Sequence, residues 1–281
     1  MGASREREIH GMEATVAPRL PHAIEARFQA WIAAAAGREP LTFQETRKGV
    51  QALSARYVEG RTAGGVGAGA FGGAGLRAAF ATFYAPLHFL TAFAAASALP
   101  ASFRAGLARV VDLGAGTGAV GAALALAAGS GSVLALDRSA WALGEARRTF
   151  AAFAVRGRTR RVELPAGVPR LAAGDLVAAG YLLNEGGPEL RERLAGLFAR
   201  ALRTGARVLV LEPLARGVSP WWDDFAAALA PAGAASVLLK WTIERPEWIE
   251  RLDAAAGLDH REIGARVLWG PAEAQPSRTS E

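Results

Sequence analysis

The stretch Val110-Val111-Asp112-Leu113-Gly114-Ala115-Gly116-Thr117-Gly118 sets a carboxylate two residues before the first of three strictly alternating glycines. It joins an apolar run to an Ala-rich, helix-forming one, so it reads as a strand-to-helix turn. At such a turn in a doubly wound sheet, ligands sit beyond the carboxyl ends of the strands. Glycines let the ligand approach the backbone, and the following helix offers free N–H groups and a partial positive end. Asp112 can organise the loop and face a cationic ligand. Asp137 ends the next apolar run, Val133-Leu134-Ala135-Leu136-Asp137, where a carboxylate suits ribose hydroxyls. Gly114, Gly116 and Ala119 also satisfy the dinucleotide pattern G-x-G-x-x-G/A, so the loop alone leaves two ligand classes open. No Tyr-x-x-x-Lys pair or other hydride-transfer set accompanies it.

Further candidates lie near the ends of later strands. Asn184 and Glu185 follow the expected fourth strand and can contact a ligand or orient an acceptor, or simply cap the next helix. His88, one helical turn from Tyr84, is a candidate general base, although a histidine on an apolar helix also suits a core. Glu212 ends the fifth strand and can serve the site or its turn. Trp221-Trp222 can stack a planar group, but adjacent helical positions cannot share one face. His260 reads as solvated or structural, and the four histidines show no metal-ligand spacing.

These residues need a scaffold, and the pattern from residue 108 supplies one. Strands are expected at 109–113, 133–137, weakly at 161–164, at 175–183, 207–211 and 262–269. Helices are expected at 119–128, 139–153 with Ser139 as cap, 188–203, 221–229 and 246–256. The fold class is therefore α/β: a Rossmann-like, doubly wound, mostly parallel sheet over 106–270, with an N-terminal helical extension over 1–105 and a polar tail over 271–281. Residues 13–60 read as two helices, the first with Ile24, Phe28, Trp31 and Ile32 on one stripe, the second from about Thr42 to Glu59 with Val50, Leu53 and Tyr57. Residues 60–75 hold eight glycines in sixteen positions and can form only a loop or linker. Residues 78–103 lack Asp, Glu, Lys and Arg, yet Pro86 and His88 interrupt them, so two buried helical pieces are expected and no membrane span.

Composition bounds the rest. The 281 residues are 51% hydrophobic and include no cysteine, which excludes disulfides, thiolate metal centres and cysteine nucleophiles. The first residues contain no apolar run of about 7–15, the length a secretory signal needs, so a cytoplasmic protein is expected. The net charge of +6 rests on arginine, with only Lys48 and Lys240 as lysines. Eight arginines against two glutamates fall within 138–170. They mark a solvated surface or, through Arg156, Arg158, Arg160 and Arg161, a face for RNA phosphates.

The pattern Asp-x-Gly-x-Gly-x-Gly, with Asp137 one strand later, resembles motif I of the class I S-adenosylmethionine-dependent methyltransferases. The resemblance runs from about 108 to 213 and includes Asp175-Leu176-Val177 and Gly205-Ala206-Arg207-Val208-Leu209-Val210. It implies S-adenosylmethionine as cofactor, held by Asp112, Gly114, Gly116, Gly118, Asp137, Tyr181 and Asn184, no metal, and methyl transfer with His88 and Glu185 as candidate catalytic groups. The acceptor, whether small molecule, protein or ribosomal RNA, stays open. Tyr181-Leu182-Leu183-Asn184-Glu185, Leu211-Glu212-Pro213, Phe83-Tyr84-Ala85-Pro86-Leu87-His88 and Trp221-Trp222 resemble bacterial methyltransferase-domain proteins. Those are related to a methyltransferase-like family that assembles the small ribosomal subunit, whose cysteine cluster this chain lacks. That relation implies an alternative: binding the donor as a ribosomal-RNA-associated assembly factor without turnover. The absence of cysteine excludes the thiolate route to cytosine carbon-5. The lack of an Asn/Asp-Pro-Pro-aromatic motif after the fourth strand disfavours the familiar adenine-amine device.

Overall fold

A computed structural model describes residues 15–38, 41–59, 72–129, 131–214 and 217–271. Most of the Gly-rich stretch (60–71), the tail beyond 271 and residues 1–14 lie outside the described residues. The elements, in chain order, are β1 (Thr15–Val16), α1 (His22–Ala36), α2 (Phe43–Glu59), α3 (Ala74–Ala79), a π-helical turn (Phe80–Tyr84), α4 (Ala85–Ala98) and α5 (Ala101–Arg104). The alternating part comprises β2 (Arg109–Leu113), α6 (Ala119–Ala127), β3 (Ser132–Asp137), α7 (Ala140–Phe153), β4 (Arg156–Arg161), β5 (Asp175–Gly180), α8 (Pro188–Arg203) and β6 (Arg207–Pro213). It closes with α9 (Trp222–Leu229), β7 (Ala235–Thr242), α10 (Glu247–Ala256) and β8 (Glu262–Gly270).

The eight strands form one sheet in the order β1-β7-β8-β6-β5-β2-β3-β4, parallel except that β8 runs antiparallel to β6 and β7. This is an α/β, Rossmann-like, doubly wound architecture. Both faces are covered, so the central strands are apolar at nearly every position rather than alternating. Val110, Val133, Ala135, Leu176 and Ala178 face the N-terminal helices, α6 and α7. Val111, Leu113, Leu136, Val177 and Val210 face α8 and α9. The N-terminal helices share the first of these cores: Trp31 and Phe89 meet Phe153 of α7, Phe28 packs on both of them, and Phe89 and Phe153 stack at 4.6 Å.

Several boundaries depart from the expected ones for local reasons. Helix α1 starts at His22 rather than near residue 13, because Pro18 and Pro21 lack the N–H groups a helix interior needs. The uncharged segment is one helical run, not two pieces. The helix spans Ala74–Ala98, long and apolar enough to cross a membrane by length and composition, yet 89% of its apolar 18-residue window is buried within the protein. Its π turn widens the backbone just before Pro86: the Ala85 N–H donates to the Phe80 carbonyl, five residues back. Pro86 therefore neither interrupts a regular ladder nor meets a carbonyl four residues earlier.

The third strand of the alternating region lies at 156–161, not 161–164, paired along all of β3. Its arginines masked it in the sequence, but an edge strand exposed to water tolerates and even favours charge. β5 stops at Gly180 because Tyr181 adopts φ +60°, which turns the chain out of the sheet. β7, unassigned from the sequence, is a half-exposed strand zipped along β8.

Against β4, α7 packs with little space: a Cβ on Gly157 would lie 2.0 Å from a ring carbon of buried Phe150. Gly157→Ala is expected to lower stability by about 1–3 kcal/mol through overpacking, read as a lower midpoint in thermal melts. An unchanged midpoint would mean that Phe150 repacks freely.

Candidate functional site

Strand order reverses between β2 and β5, and the loops that leave their carboxyl ends border a cavity of about 410 Å³. That is within the range of about 300–1,000 Å³ that small-molecule sites occupy. The loop after β2 supplies Gly114 and Gly116, the end of β3 supplies Asp137, Arg138 and Ser139, and the start of α7 supplies Trp141. The loop after β5 supplies Tyr181, Leu182, Glu185 and Gly186. Arg77, Phe80 and His88, from the long N-terminal helical run, complete the wall.

The three alternating glycines have a common backbone cause. Gly114, Gly116 and Gly118 have φ of +62°, +52° and +74°, the left-handed region that a Cβ disfavours. Space is short as well: a Cβ on Gly114 would come within 2.5 Å of Leu182, and one on Gly118 within 3.0 Å of Phe150 and Ala146. Only Gly114 and Gly116 reach the cavity, and Gly118 seats α6 against α7.

Asp137 is both wall and buttress. Its carboxylate accepts the Gly116 N–H at 2.9 Å and the Ser139 N–H at 2.7 Å, so it fixes the glycine loop and the entrance to α7 together. A carboxylate offers about four acceptor positions, which leaves capacity for ligand hydroxyls. Asp112 lies behind the loop, 1% exposed, where it accepts the Gly121 N–H of α6 at 3.0 Å. Burial pushes its carboxyl up to about 7, the Gly121 bond opposes the rise and the nearby Asp137 adds to it. Asp112 is thus placed to hold the loop onto the helix and does not line the cavity.

Opposite the glycine loop, the segment after β5 is clamped at both ends. Glu212, fully buried at the end of β6, accepts the Leu183 N–H at 2.7 Å and also the Asn184 N–H. Arg191 of α8 donates to the Leu183 and Gly186 carbonyls while lying over the Trp221 ring at 5.0 Å. Asn184 turns away from the cavity and accepts from the Ser219 hydroxyl at 3.1 Å. Glu185 faces the cavity. Burial first, and then the neighbouring Asp137, push its carboxyl up to about 7, against the pull of Arg138.

His88 stacks on Tyr181, centroids 3.9 Å apart and planes 17° from parallel. Burial, with a smaller push from His260, holds its imidazole down to about 3, so it is neutral at physiological pH and a weak base. Tyr181 is anchored by Thr91, and burial raises its hydroxyl above the usual tyrosine range. Trp222 is buried and donates to Ser236, Trp221 packs on Phe225, and neither lines the cavity. His260 is bound to Asp253 at 2.6 Å and packs edge-on to Phe83. Among the described residues no group of acidic or histidine side chains is arranged to hold a metal ion.

Sequence reasoning placed His88 at the site but missed its helical neighbours Arg77 and Phe80. Phe80 carries no motif, yet its ring is the nearest group, at 4.0 Å, to where a Gly116 Cβ would stand. Arg77 lies over the Trp141 ring at 5.6 Å, a pairing between residues 64 positions apart that no local pattern announces.

Residues 94–173 match the family model of the methyltransferase small domain. The chain is similar to methyltransferases over this stretch, from the end of α4 to the loop before β5. No curated protein sequence matches it. Among solved structures it is similar to the apo form of the S-adenosylmethionine-dependent methyltransferase SibL, at 21% identity over 91% of this chain and 79% of that one, with a TM-score of 0.47. It is also similar to a precorrin-6y C5,15-methyltransferase from Geobacter metallireducens GS-15, at 17% identity over 65% and 85%, TM-score 0.43. Magnesium protoporphyrin IX methyltransferase from Synechocystis PCC 6803, bound to SAH, shares 16% identity over 65% and 82%, TM-score 0.43. The cavity suits a nucleoside-bearing ligand: a wall of Cβ-free backbone, a carboxylate with spare acceptor positions beside it, and enough volume for a ligand of that size.

Proposed function

We propose that the protein transfers the methyl group of S-adenosylmethionine to a small acceptor admitted beneath the N-terminal helices. In this reading Asp137 accepts the ribose hydroxyls, the Gly114–Gly116 backbone lies along the methionine part, and Tyr181 with His88 closes the far wall. The bound donor supplies an activated methyl on a sulfonium. The chain's work is then to align the acceptor and exclude water, which can lower the barrier by several kcal/mol. An acceptor that is protonated at neutral pH would also have to give up its proton within the cavity. Glu185, the cavity carboxylate with the basicity suited to neutral pH, is the group to receive it, whereas neutral His88 is too weak a base.

The observation that carries this reading is the helical wall: Arg77, Phe80 and His88 cover the strand ends where a macromolecular acceptor would otherwise dock. The experiment is to supply labelled donor with the low-mass, protein and RNA fractions of a cell extract and follow the methyl group. Label in low-mass products is expected. Label confined to protein or RNA would overturn the small-acceptor reading.

A second reading, RNA as a partner, has one observation in its favour. Arg156, Arg158, Arg160 and Arg161 are exposed on edge strand β4, whose continuation Val162–Leu164 forms part of the cavity wall. If they contact phosphates, replacing all four with Gln should reduce the slope of log K against log[salt] for single-stranded RNA by about 3. An unchanged slope would remove RNA from consideration at this face.

A further inference from the structure

Glu185 is the one carboxyl on the cavity wall that is both partly buried and without a hydrogen-bond partner among the described residues. Asp137 is held by two backbone N–H groups, and Glu163 is exposed at the rim. Its loop cannot swing it away, because Glu212 and Arg191 fix the backbone on either side. The charged and titratable groups facing it are Asp137 and Arg138 from the end of β3, Glu163 from the segment after β4, Arg77 and His88 from the N-terminal helical run, and Glu212 with Arg191 behind its loop.

A carboxyl set between Asp137 on one side and Arg138 on the other is poised between its two forms, and a bound sulfonium would tip the balance. We propose that Glu185 senses the charge of the donor: a bound sulfonium drives its proton off, and loss of that charge after methyl transfer lets it keep the proton taken from the acceptor. Donor binding thus prepares the proton acceptor, and the spent, neutral sulfide leaves a neutral carboxylic acid behind. The inference rests on the donor site proposed above. It adds that donor and product differ in proton linkage, and that one side chain is responsible.

S-adenosylmethionine and S-adenosylhomocysteine share the adenosine and amino-acid groups and differ in the methyl and its charge, so comparing them cancels most other titrations. The test is calorimetric titration of both ligands into the full chain at pH 6, 7 and 8, in buffers of contrasting ionisation enthalpy, for wild type and Glu185→Gln. An opposite charge at close range lowers a carboxyl pKa by roughly 1–2 units. From a starting value near 7, this corresponds to release of about 0.4–0.5 proton at pH 7 with the donor and little with the product. Preference for donor over product should correspondingly rise roughly 5- to 10-fold from pH 6 to pH 8. In Glu185→Gln both differences should vanish while both ligands still bind.

Equal proton counts for the two ligands in wild type would overturn the inference and leave the donor site standing. Linkage that persists in Glu185→Gln would also overturn it, assigning the effect to another group such as Glu212. Failure of either ligand to bind folded protein would instead sink the donor site itself. Should Glu185→Gln not fold, Glu185→Ala takes its place in the same comparison, with the same outcomes.

Discussion

Asp137→Ala is expected to weaken S-adenosylmethionine binding by roughly 10- to 100-fold. Charge-assisted hydrogen bonds to ribose hydroxyls are worth about 1.5–3 kcal/mol, and the structure adds a second loss. The same carboxylate accepts the Gly116 and Ser139 N–H groups, so its removal also frees the glycine loop that faces the ligand. The loop's three left-handed residues then order on binding instead of beforehand, which lowers affinity further. Calorimetric titration of wild type and Asp137→Ala measures the effect directly. Asp137→Asn separates the two causes, since an amide keeps one acceptor for the backbone and loses the charge. Binding that is unchanged in Asp137→Ala, with the protein folded, would remove Asp137 from the site.

The protein should also be more stable at mildly acidic pH than at alkaline pH. Asp112 and Glu212 are buried carboxyls pushed up to about 7 and about 8 from ordinary values of 3.8 and 4.5, desolvation being the first cause in each. Between the ordinary and the raised values the folded chain binds more protons than the unfolded one. Stability therefore falls as pH climbs through that window and levels off above about pH 8. Each group contributes on the order of 1–3 kcal/mol to the fall, which lowers the melting midpoint by at least about 5 °C between pH 5 and pH 9. His88 opposes part of this fall: burial holds its imidazole down to about 3 from 6.5, so it contributes stability that is lost as pH drops between those two values. Asp253 also works in the opposite sense. His260 and Arg245 outweigh its own burial and hold it below the ordinary range, so its contribution is lost as pH drops below about 4. The optimum is expected near pH 5. Asp112→Asn and Glu212→Gln should each flatten the alkaline side, and a wild-type midpoint that stays flat from pH 5 to pH 9 would refute the account.

These two predictions draw on different kinds of information. Asp137 was legible because its chemistry depends on local order: a strand, an acid at its end and a helix after it place one carboxylate beside one loop in any parallel sheet of this kind. Glu212 was legible only as an ambiguous acid at a strand end. Its role as a clamp follows from lying across from Leu183 and Asn184, which the parallel pairing of β5 with β6 brings together although they are 28 to 29 residues apart in sequence.

The sequence by itself determined the elements that alternate, the glycine loop and its left-handed backbone, Asp137 at the next strand end, and the Ser139 cap, whose hydroxyl accepts the Ala142 N–H at 3.2 Å. Each is set by neighbours within a few residues, where steric limits and apolar periodicity act without help from distant parts of the chain. Only the tertiary structure decided which of the candidate acids faces the ligand. Asp112 and Glu185 sit equally close to strand ends in the sequence, yet one is turned behind the loop toward Gly121 and the other into the cavity. The helical wall of Arg77, Phe80 and His88 was likewise decided by packing, because α4 lies where its apolar face meets α6 and the aromatic cluster at Phe153. Burial against a distant element sets both orientation and basicity, and burial is a property of the whole fold.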